Sequence, residues 1–150
     1  KGGFNMTLKK IGDVSSHVKN FGEPLRKDTE GLLRSLKEYW QKRDFFHDFI
    51  TVSDKNSSLR IEMPEFKFWC ESKHRFVFSE QELVCEIAFY TIKEEKEIEI
   101  FTCYLRPGGE LSFETTQSEQ TYNIYYARNV ESAIIDMIIQ NASLKKFISL

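Results

Sequence analysis

The apolar residues of this chain change their spacing twice, and that change limits the possible fold more than any single motif does. From Thr7 they recur in steps of three and four, at Leu8, Ile11, Val14, Val18 and Phe21, and then at Leu25, Leu32, Leu33, Leu36 and Trp40. Only a helix gathers such residues onto one side. Gly22 and Pro24 fall between the two runs. Proline lacks an N–H and crowds the turn before it, so the pattern predicts two helices with a break there. Asp28 or Thr29 can cap the second. Phe45, Phe46, Phe49 and Ile50 suit a continuing helix or a short buried turn equally well, and the reading leans towards helix.

Past the polar stretch 53–58 the period falls to two. Leu59, Ile61 and Met63 alternate with Arg60 and Glu62, and Phe66, Phe68 and Cys70 with Lys67 and Glu71. Pro64 between them marks an edge or a bulge. A short strand over 75–78, two long ones over 82–92 and 97–105 and shorter ones over 111–113 and 122–126 complete a meander of five or six strands. Strict alternation puts Ile98, Ile100 and Tyr104 on one side of the second long strand. Glu97, Glu99, Phe101, Cys103 and Leu105 then share the other. Arg106-Pro107-Gly108-Gly109 predicts a type II turn, with proline setting one φ and glycine accepting the positive φ that follows. Residues 115–120 read as a loop. Asn129 can then cap a closing helix with the stripe Val130, Ile134, Met137, Ile138, Leu144 and Ile148, packed on the sheet. Helices segregated from strands in this way predict an α+β fold.

One domain accommodates the 150 residues, and 41% hydrophobic with 29% charged residues is the balance of a folded chain. Lys1-Gly2-Gly3-Phe4-Asn5-Met6 back-translates to a bacterial ribosome-binding sequence ahead of a start codon. The expectation is that residues 1–5 are leader or linker and that 6–150 form the domain. Cys70, Cys85 and Cys103 are odd in number and set among apolar residues, matching neither a zinc site nor a disulfide framework. They read as buried thiols of a reducing cytoplasm. No apolar run reaches the ~20 residues of a membrane span.

Chemistry is sparse. His17, His47 and His74 have no metal-ligand spacing, and no glycine-rich loop opens a helix. Glu97 and Glu99 on one strand face, beside Lys96, could serve as acid and base or hold magnesium, but alternating Glu and Lys is also how a solvated strand looks. Helical residues 6–50 carry nine basic and seven acidic side chains, too balanced for a nucleic-acid surface.

Charge is the informative feature. Between Glu80 and Gln120 stand ten acids against Lys93, Lys96 and Arg106, although the whole chain carries only −2. A field of that kind steers a basic partner. Tyr122, Tyr125 and Tyr126 cannot all face one side of a strand, so at least one should be exposed, and tyrosine is a favoured interface anchor. The expectation is a non-catalytic, cytoplasmic, bacterial protein that uses no cofactor and binds a basic protein. Its most concrete form is an immunity protein that neutralises a cognate toxin, such as a nuclease, by occupying a basic groove. The expected contact residues are Glu86, Glu94, Glu95, Glu97, Glu99, Glu110 and Tyr125. The alternatives are a small acidic secretion chaperone, dimeric and holding its client on apolar surface, and a metal-dependent enzyme combining Glu97 or Glu99 with His74.

Overall fold

The computed structural model describes residues 10–43, 49–113 and 120–149 and is of the α+β class: a long helix, seven antiparallel strands and a second helix. The expected leader, residues 44–48 and residues 114–119, where most of the expected loop falls, lie outside the described residues.

Helix α1 (Ile11–Gln41) runs unbroken through Pro24, so the two expected helices are one. The reason lies in the stripe itself. Val18, Phe21, Leu25, Thr29, Leu32, Leu36 and Trp40 keep steps of three and four across the proline, and Pro24 stands on the exposed side. A proline inside a helix costs about 3 kcal/mol, whereas Leu25, Leu32 and Leu36 in line each return about 1.5–3 kcal/mol on burial. Gly22 serves close approach here rather than termination. A Cβ on it would meet Val18 Cγ1 at 3.3 Å and the Phe76 ring at 3.5 Å.

The sheet follows chain order, β1 (Thr51–Lys55), β2 (Ser58–Met63), β3 (Phe68–Ser79), β4 (Glu82–Lys93), β5 (Lys96–Arg106), β6 (Glu110–Phe113) and β7 (Gln120–Asn123), each antiparallel to the next. That is one or two strands more than the five or six expected, and β1 is an addition. Its only buried residue is Val52, too little for a period to register, while Lys37 of α1 holds Asp54 at 2.5 Å and Gln41 reaches the Val52 carbonyl. The two strand fragments expected at 66–70 and 75–78 fuse into β3 after a single 3₁₀ turn at Pro64–Phe66. The last strand ends at Asn123, before the tyrosine pair.

Helix α2 (Val130–Leu144) starts at Asn129, whose side chain makes no capping bond. Val130, Ile134, Ile135 and Ile138 join Leu32, Leu36 and Trp40 of α1 against one face of the sheet, formed by Ile61, Cys70, Ile87, Phe89, Phe101, Cys103 and Leu105. Both helices therefore lie on the same side. Pro107 and Gly108 form the expected type II turn, with Gly108 at φ 90° and Gly109 N–H donating to the Arg106 carbonyl at 3.1 Å.

One irregularity decides which residues face the helices. Phe89 pairs with Phe101 but Tyr90 pairs with Glu99, so Ile100 is an extra residue in β5, a bulge. Asn141 of α2 donates to the Ile100 carbonyl at 2.8 Å. The extra residue reverses the alternation. Glu97 and Glu99 turn away from the helices while Phe101, Cys103 and Leu105 turn towards them, which corrects the expected face shared by all five.

Candidate functional site

The helix-free face of β3, β4 and β5 is made of the residues the core does not use. Register sets them in rows: Arg75, Glu86 and Tyr104; Lys73, Ala88 and Thr102; Glu71, Tyr90 and Glu99; then Ile92 with Glu97. Arg75 Nε donates to Glu86 at 2.9 Å. Lys73 crosses the Tyr90 ring, 5.1 Å from its centroid, to bond Glu97. In the neighbouring row the buried Glu71 accepts from Arg60 Nη1 at 2.6 Å and Lys55 Nζ at 3.4 Å, and Arg60 lies 4.4 Å over the Trp69 ring. Burial alone pushes the Glu71 carboxyl up. The hydrogen bond from Arg60 and the charge of Lys55 together outweigh it, leaving this carboxyl below its ordinary range. Burial, followed by the charges of Glu71 and Glu97, pushes the Tyr90 phenol up.

Ala88 offers only a methyl where its neighbours along β4 offer a carboxylate and a phenol ring. The face dips there into a groove of about 400 Å³, whose lining includes Lys73, Arg75, Glu86, Tyr90 and Ala88 and adds His74, Glu97 and Glu99. His74 lies within β3 and is exposed.

The expected contact residues fall into two groups, with Glu86 between them opposite Tyr104. Glu94, Glu95, Glu97 and Glu99 cluster at one end of β4 and β5. Glu110 and Tyr125 belong to the other end, roughly ten strand residues or on the order of 30 Å away. There Arg106 bonds Glu110 at 2.9 Å and approaches Glu82 at 3.4 Å. Tyr125 packs its ring over Gly109 and donates its phenol to Asp28 of α1 at 2.7 Å. That bond, more than burial, pushes the Tyr125 phenol up. Tyr126 is 81% exposed.

Pairing thins the expected acidity further. Glu86, Glu97 and Glu110 each have a cation, whereas Glu94, Glu95 and Glu99 have no ion pair among the described residues. Glu94 and Glu95 also form the whole two-residue turn between the paired Lys93 and Lys96, at φ 54° and 65°. Glutamate suits that left-handed backbone poorly; Asn-Gly is the favoured pair.

For metal chemistry the arrangement offers less. Glu97, Glu99 and His74 share the groove, yet among the described residues no group of three or more His, Cys, Asp or Glu could hold a metal ion. The three cysteines are buried and unpaired, with burial pushing the Cys70 thiol up to about 12 and raising Cys85 and Cys103 as well. None is a thiolate at neutral pH. No described helix is long and apolar enough to cross a membrane.

Sequence reasoning missed Lys73, Arg75, Ala88 and Tyr90. Ala88 carried a readable signal, being a small residue amid large ones along β4, while the others depend on register. Searches of protein-family models, characterised proteins and solved structures find no match to this chain.

Proposed function

We propose that this protein acts by binding a basic protein partner at the helix-free end of β4 and β5, with Glu94, Glu95 and Glu99 as the steering charges. One observation carries the reading. These three carboxylates have no cation among the described residues, and two of them occupy turn positions that disfavour glutamate. The tip at Glu80 and Gln81 shares that backbone but carries one carboxylate, whereas Glu94 and Glu95 set two beside Glu99. Glu97 and Glu86, held by Lys73 and Arg75, supply a polar rim. Glu110 and Tyr125 at the far end are outside this contact. In its most concrete form the protein is a cytoplasmic immunity protein whose acidic end enters the substrate groove of a basic toxin, such as a nuclease. No chemistry of its own is then required.

The test compares wild type with E94K/E95K/E99K as bait in cells that carry the gene. A basic protein captured by wild type and lost to the variant, whose melting temperature stays within about 2 °C of wild type because the sites are exposed, supports the reading. Identical captures would refute it.

One observation favours the secretion chaperone as a second reading. At the start of α1, Ile11 is 88% and Phe21 41% exposed, leaving an apolar stripe with little covering it. A stable dimer that holds an unfolded client, and loses it in I11S/F21S, would select this reading over the first.

A further inference from the structure

We draw no further inference here: the strongest candidate, the apolar stripe of Ile11, Val14, Val18 and Phe21 along the start of α1, with Ile11 88% and Phe21 41% exposed, carries nothing because nothing in the structure shows what covers it.

Discussion

Ile87 and Phe89 point from β4 into the helices, while Glu86, Ala88 and Tyr90 point away from them, and the two sets are held by different forces. On the helix side, Phe101 stacks near Phe89 and meets Phe113 edge-on, with Cys103 and Leu105 sealed alongside. Dispersion and exclusion of water act there, non-directionally and strongly. On the other side, ion pairs between half-exposed groups each contribute little, and what they mainly set is where charge is cancelled and where it is left over. The lesson is that one strand can hold the fold with its odd residues and present a partner surface with its even ones. Substitutions on the two sides should then separate stability from binding.

The largest expected break is on the helix side. Phe101→Ala should cost about 3–5 kcal/mol in urea unfolding, the usual penalty for truncating a buried phenylalanine. A loss under 1 kcal/mol would mean that the core does not sit where described.

Between the faces, Asn141→Leu removes the donor to the bulge carbonyl of Ile100 and should cost about 1–3 kcal/mol. It should also move the Glu97 and Glu99 amide resonances, since the bulge sets which way they face. Equal stability with unmoved resonances would show that the bulge holds itself.

On the helix-free side the Glu71 cluster makes stability depend on acid. The folded-state carboxyl lies below its ordinary range, so its contribution is present above the unfolded glutamate value of about 4.3 and is lost as pH falls through the folded value. Glu71→Gln should cost about 1–2 kcal/mol at pH 7, and less as the pH is lowered below 4. A penalty independent of pH, read from denaturation at pH 7 and pH 3, would remove the charge from the explanation.

The smallest effect separates the two hairpin tips of β4. Glu80 and Gln81 also have positive φ, at 51° and 67°, as Glu94 and Glu95 do at the opposite end. Replacing either pair by Asn-Gly should raise stability by about 0.5–1 kcal/mol. Only the Glu94-Glu95 replacement should slow partner association. If both slow it equally, the acidic end is not special.

Much of the architecture was legible because burial leaves a period. The stripe from Val18 to Trp40 continued across Pro24, and its continuity was better evidence than the proline, which stands where losing one backbone bond matters least. β1 was not legible, since a five-residue edge strand with one buried side chain leaves no period. The bulge at Ile100 was not legible either. It is recognisable only from the partner strand and from Asn141, far along the chain. The candidate site failed to read for a related reason. Ten acids between Glu80 and Gln120 look like one negative surface, yet Lys73 and Arg75 lie just before that segment and become its cross-strand neighbours. Charge counted along a chain is not charge on a face. The pairing leaves Glu94, Glu95 and Glu99, three of the seven residues the sequence had marked.

The division between faces is tested most directly by the partner association rate, measured by stopped flow across ionic strength for wild type and E94K/E95K/E99K. Wild type should associate at least about tenfold faster at low salt, the two rates converging as salt screens the charges, with dissociation changing less. Parallel curves of equal height would contradict the account.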